Sequence, residues 1–146
     1  MWKVELKDGQ EVTLRPPTAE DGDALFQMFS FMSDKALEWS MAPYTIDIIQ
    51  RWIDNIKNLI ALVANWDNRI VGYAAIYKFP HPRRRGVGDQ LINLHQYFYN
   101  VGLGTEMMRK LIQLAKKEGL HKIEIHVVAD NKVAIHLYKK VGFETE

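Results

Sequence analysis

Residues 89–128 constrain the fold most. Asp89–Tyr97 reads as a strand, Gly102-Leu103-Gly104 as a glycine turn, Thr105–Glu118 as a helix and Lys122–Val128 as another strand. The helix carries Met107, Met108, Leu111, Ile112 and Ala115 at helical spacing, and Gly119 is placed to end it. A strand that runs through a glycine turn into an amphipathic helix and back to a strand belongs to an α/β chain.

The flanks extend that pattern. Val4 and Leu6, then Val12 and Leu14, alternate with polar residues around Asp8-Gly9 and predict a hairpin. Thr18 followed by Asp21 resembles a helix N-cap with an acidic third position, and Leu25, Phe26, Met28, Phe29 and Met32 follow at helical spacing. A second helix starts near Thr45 and carries Ile48, Ile49, Trp52, Ile53 and Ile56. Strands over Leu59–Trp66 and Arg69–Phe79 are joined by Asp67-Asn68, and Pro80 to Gly86 form a loop. Asn131–Lys140 predicts a short last helix, ended by Gly142-Phe143. The expectation is one domain over residues 1–146, a mixed α/β sheet with helices on its faces.

Composition excludes some chemistry. The chain has no cysteine, so no disulfide, thiolate metal site or enzyme thiol nucleophile is available. The formal net charge of +1 gives no case for a polyanionic partner. No apolar run approaches the roughly 18–20 residues needed to span a membrane, and the charged start MWKVELKDGQ is unlike a signal peptide. A cytoplasmic location with no membrane partner is the expectation. His81, His121, His126 and His136 lack ligand spacing, so no metal is expected.

Two stretches share a Gly-x-Gly spacing: Arg83-x-x-Gly86-x-Gly88 and Tyr99-x-x-Gly102-x-Gly104. A phosphate is held where backbone N–H groups converge at the positive end of a helix. The first match leads into a strand, which makes it a connection between strands with its guanidiniums in water. The second opens a helix, where glycine lets the backbone come close to a ligand. The second loop is therefore the candidate phosphate site.

After that helix come a strand, then Asn131-x-x-Ala134-x-x-x-Tyr138, then Gly142-Phe143. With LHQYFYNVGLGTEMMRKLIQLA and VVADNKVAIHLYKKVGFE in this order, and TLRPPTAED near the start, the chain resembles the GNAT superfamily of acetyl-CoA-dependent N-acetyltransferases. The resemblance implies a mostly antiparallel central sheet flanked by helices. Two departures stand out. Tyr99 occupies a place where Arg or Gln is usual. Only Glu144-Thr145-Glu146 follow Gly142-Phe143, where the family has a hairpin whose strand pairs beside Lys122–Val128, and the sheet is expected to keep an exposed edge there.

The resemblance also implies roles. The backbone of Leu94, His95 and Gln96 would carry the pantetheine arm of acetyl-CoA and polarise its thioester carbonyl. The amides of Asn100, Val101, Gly102, Leu103, Gly104 and Thr105 would hold the pyrophosphate, with Tyr99 beside them in the coenzyme site and Asn131 and Ala134 on the other side of the arm. Tyr138 matches the general acid. The base is left between Asp89, five residues before Leu94, and His95, histidine being the residue type suited to proton transfer near neutral pH. Glu38, Trp39, Met41 and Tyr44 would wall the amine's pocket, where aromatic rings and a carboxylate suit a cation. The function implied is acetyl transfer to a primary amine, and a non-catalytic acyl-CoA sensor of the same fold is the alternative. Arg83–Arg85 is one short basic run in a near-neutral chain, poor support for nucleic acid. A homodimer is left open.

Overall fold

The hairpin expected around Asp8-Gly9 forms. Leu6 N–H donates to Gln10 C=O at 2.7 Å, and Gly9 takes a left-handed φ of 88°. The computed structural model describes residues 1–38, 43–78, 86–127 and 130–144, with the side chains of Val87 and Asp89 outside that description. In chain order the elements are β1 (Trp2–Glu5), β2 (Glu11–Arg15), α1 (Gly22–Ser30), α2 (Ile46–Asp54), β3 (Leu59–Trp66), β4 (Arg69–Lys78), β5 (Val87–Leu94), α3 (Leu103–Lys117), β6 (Lys122–Glu124) and α4 (Lys132–Lys140). The strands form one sheet in sequence order. Every pairing is antiparallel except β5 with β6, which is parallel.

Local chemistry sets these limits. Thr45 Oγ1 accepts Ile48 N–H at 3.3 Å and starts α2, as its position predicts. Ile56, expected on that helix, falls in a 3-10 turn over Ile56–Asn58. Asp67 and Asn68, at φ 49° and 62°, supply the two left-handed residues of the β3–β4 turn. Asp21, not Thr18, is the cap residue of α1. Its carboxylate accepts Thr18 N–H at 2.6 Å and pairs with Arg15 through two bonds of 2.7 and 2.8 Å. The guanidinium holds the Asp21 carboxyl below the usual aspartate range.

The sheet is covered on both faces. One core joins it to α3 through Leu14, Leu62, Ile76, Met107 and Leu111. The other joins it to α1 and α2 through Leu25, Phe29, Ile49, Val63 and Tyr73. β3 lies between them and is buried almost throughout, as a central strand should be.

Two strand expectations are corrected. β5 ends at Leu94, not Tyr97, because His95 Nδ1 accepts Tyr97 N–H at 3.3 Å and turns Gln96–Phe98 into a 3-10 turn. β6 spans Lys122–Glu124 rather than Lys122–Val128. It pairs with β5 only over Val87–Asp89, and no strand lies beyond it among the described residues. Residues 125–127 thus have no ladder on either side, and residues 128–129 are outside the described residues.

Candidate functional site

The two glycine matches separate by their surroundings. Gly86 takes φ 82°, and its carbonyl accepts His121 N–H at 2.8 Å and Lys122 N–H at 3.2 Å. Gly88 lies inside β5, where a Cβ would collide with Ile76. Both glycines dock strands together, and neither opens a helix. Arg83–Arg85 lie outside the described residues.

The second match has the other geometry. Asn100 and Gly102 take left-handed φ values of 61° and 88°, and Gly102 caps the fifteen-residue α3 with no side-chain bond. The first backbone bond of the helix runs from Glu106 N–H to Gly102 C=O at 3.1 Å. The N–H groups of Leu103, Gly104 and Thr105 precede it and have no partner within the helix. They converge at the positive end of the helix dipole, which suits an anion.

Gly104 serves packing. A Cβ there would stand 3.2 Å from Leu137 on α4 and 3.4 Å from Leu94 on β5. The glycine is what lets α3, α4 and the end of β5 meet. Tyr138 follows Leu137 on α4, and its ring meets Phe143 edge-on with centroids 5.9 Å apart. Asn131 Oδ1 accepts Ala134 N–H at 3.3 Å and caps α4. Only its amide nitrogen or its backbone can therefore serve a ligand without loosening the cap. β5 beyond Asp89 has β4 on one side and no paired strand on the other among the described residues, so the backbone near Leu94 lies on an edge of the ladder. Tyr99 is partly exposed, and burial of the rest of its ring raises its phenol, which stays neutral.

Sequence reasoning missed Lys7. From the β1–β2 turn its N–H donates to Val101 C=O at 3.0 Å, and its side-chain carbons lie 3.6 to 3.9 Å from where a Gly102 Cβ would be. A cation on a turn far away in sequence thus lies over the loop. Nothing in a local pattern announces this, because it depends on the hairpin packing against α3.

Tyr44, expected to wall the amine's pocket, packs on the opposite face of the sheet. Tyr44 packs on Phe29 at 4.3 Å, and Trp52 stacks on Tyr73 at 5.1 Å with the rings 2° from parallel. Tyr44, Phe29, Trp52 and Tyr73 thus form one aromatic cluster, and Tyr44 is engaged in its packing. Burial, with the Tyr77 hydroxyl beside it, pushes the Tyr73 phenol far above its ordinary range, so it stays protonated. Glu38 is exposed in the turn after α1. Trp39 and Met41 lie outside the described residues. Asp89 pairs with Tyr77 in the β4–β5 register, and its side chain is outside the description. His95 N–H is held by Val71 C=O at 2.9 Å. Gln96, expected to offer its backbone on a strand, instead sits in the 3-10 turn and uses its side chain on the segment after α1.

A separate cavity of about 270 Å³, lined by Ile112, Ala115, Leu120, Ile123 and Phe143, lies at the far end of α3. Thr105 and Ala115 are about 15 Å apart along the helix, so this cavity does not belong to the loop. No helix among the described residues is long and apolar enough to cross a membrane.

Comparison with known proteins agrees with this architecture. The L-amino acid N-acetyltransferase AaaT of Escherichia coli K12 is 36% identical over 92 residues, covering 62% of this chain, and that match spans 55% of the relative's length. The GNAT domain of S. lividans PAT superposes with a TM-score of 0.89 at 15% identity, covering 99% of this chain and 88% of that one. Salmonella typhimurium yncA, solved with acetyl-CoA as its cofactor, superposes with a TM-score of 0.78 at 20% identity, covering 92% and 80%. The model of the Acetyltransferase (GNAT) family matches residues 24–143, and with the sheet, the glycine loop and α4 in the order described, the chain belongs to the GNAT family.

Proposed function

We propose that the protein transfers an acetyl group from acetyl-CoA to the primary amine of a small L-amino acid or a close analogue. The observation that carries this reading is the left-handed Asn100–Gly102 turn at the start of α3, beside the open edge of β5. That place offers several backbone donors, a helix dipole and the Lys7 stem to a pyrophosphate, and beside them an open strand edge for an extended arm. The family, and the likeness to a structure that holds acetyl-CoA, supply the donor. The acceptor class rests on the relative that acts on L-amino acids.

Acetyl-CoA supplies an activated acyl carbon that a free amine can attack directly in a ternary complex, and the chain has no cysteine for a protein thioester. The amides of Gly102–Thr105 hold the pyrophosphate, with Asn100 and Val101 shaping the turn. The edge of β5 near Leu94 carries the arm and donates to the acyl oxygen as charge develops there. Asp89 or His95 takes the proton from the amine, and Tyr138 returns one to the departing sulfur. Asn131 and Ala134 border the arm from α4. Glu38 and Tyr44 serve the amine, and Trp39, outside the described residues, is assigned the same role from its place in the sequence.

Calorimetric titration with acetyl-CoA tests the first half. Wild type should bind saturably, and Gly102→Val, checked for intact folding by its melting curve, should weaken binding at least tenfold. Failure of the wild type to bind would end the reading. Release of free thiol with L-amino acids tests the second half. Binding without release against any of them would assign the sensor role instead.

A further inference from the structure

Gln96 is bonded in three directions. Its side-chain Oε1 accepts Ser33 N–H at 3.1 Å, and its Nε2 donates to Phe31 C=O at 3.2 Å. Its backbone carbonyl accepts Tyr99 N–H at 3.3 Å. The side-chain bonds cross 63 and 65 residues of sequence. They fall where α1 ends and its last carbonyls need partners. Phe31 is the residue that closes α1, and Ser33 starts the turns that follow. Ser33 Oγ accepts Ala36 N–H at 3.1 Å, Ser33 C=O accepts Leu37 N–H at 3.1 Å, and Glu38 N–H donates to Lys35 C=O at 3.3 Å. Hydrogen bonds therefore run from Gln96 through Ser33 to Ala36 and Leu37, and Glu38 is held to Lys35 within the same turns.

On its other side, Gln96 follows Leu94 and His95 and leads through Tyr99 into the turn at Asn100. One amide side chain joins the segment proposed to face the amine to the end of the strand and the loop proposed to hold acetyl-CoA. A primary amide suits this task, since it accepts and donates at once. Leucine could fill the volume and do neither.

We propose that Gln96 is a positioning residue that sets the amine side against the donor side, so that acetyl-CoA in its site steadies residues 31–38 before the amine arrives. This rests on the donor site assigned above. The bonds at Phe31 and Ser33 are the only link it requires. Binding that fixes the 94–100 backbone fixes the amide, and the amide fixes the turn.

Hydrogen exchange read by mass spectrometry, with and without saturating acetyl-CoA, tests this without an acceptor. In wild type, exchange in peptides covering 31–38 should slow several-fold on binding. Gln96→Leu should bind acetyl-CoA within about twofold of wild type but lose that slowing. Gln96→Glu keeps the acceptor for Ser33 N–H and loses the donor to Phe31 C=O. It should retain part of the slowing, and it carries the test if the leucine variant does not fold. Equal slowing in wild type and Gln96→Leu, or none in wild type at saturation, overturns the proposal and leaves the donor site standing. Loss of acetyl-CoA binding in Gln96→Leu overturns it too, because the residue would then belong to the donor site itself. Failure of wild type to bind acetyl-CoA removes both.

Discussion

Gly102 and Gly104 stand two residues apart and are needed for different reasons. Gly102 sits at φ 88° with only the flexible Lys7 stem near the place of its Cβ. Gly102→Ala should therefore cost about 1 kcal/mol from the left-handed backbone alone. Gly104 has no conformational problem, but Leu137 and Leu94 close on it. Gly104→Val should cost about 1–3 kcal/mol by overpacking and should loosen α4. Urea denaturation of the two variants checks both figures. The Arg15–Asp21 pair gives a pH signature. Asp21 titrates lower when folded than when unfolded. Its stabilisation is complete above the unfolded value of about 3.9 and is lost as pH falls through the folded value beneath it. The pair is mostly buried, with side-chain exposures of 20% and 10%. Arg15→Leu should cost about 1–2 kcal/mol at pH 7, between the surface and the fully buried case. Melting curves of variant and wild type should converge as pH approaches 2.

Among the helices, α4 is the most weakly held. It has no fully buried residue, yet it carries Tyr138 and Leu137 to the site. Its cap bond from Ala134 N–H to Asn131 Oδ1 therefore matters more than in a buried helix. Asn131→Ala should cost about 1 kcal/mol, seen as roughly fivefold faster amide exchange across Lys132–Lys140. α1, α2, α3 and the first four strands were legible in sequence because hydrophobic period and turn residues agreed there, although the cap of α1 is Asp21 and not Thr18. β3 has the span that was expected, and β4 starts at Arg69 as expected and runs to Lys78, with Phe79 outside the described residues. β6 was not legible. Lys122–Val128 has the composition of a long strand, but a strand's length is fixed by its neighbours, and β6 has one neighbour for three residues. The end of β5 misled for a similar reason. The turn after it follows from a His95 side-chain bond, which leaves no trace in hydrophobic alternation.

At the scale of the whole molecule, the glycine motif and the following helix point to the proposed donor site because their spacing is local. The residues that join the site's parts were invisible in sequence. Lys7 reaches the loop from the first hairpin, and Gln96 bonds Phe31 and Ser33 across 65 and 63 residues of sequence. Contacts of that kind exist only once the sheet has formed. The sheet also divides the labour. Ile92 and Leu94 of β5 pack towards α3, while Leu91 packs towards α1 and α2. On the proposed reading, donor and amine therefore lie on opposite sides of a wall and meet only beside β5. Such a layout lets heredity edit one side without disturbing the other. A lineage could change its diet of amines by rewriting residues 22–54 while its coenzyme grip went untouched.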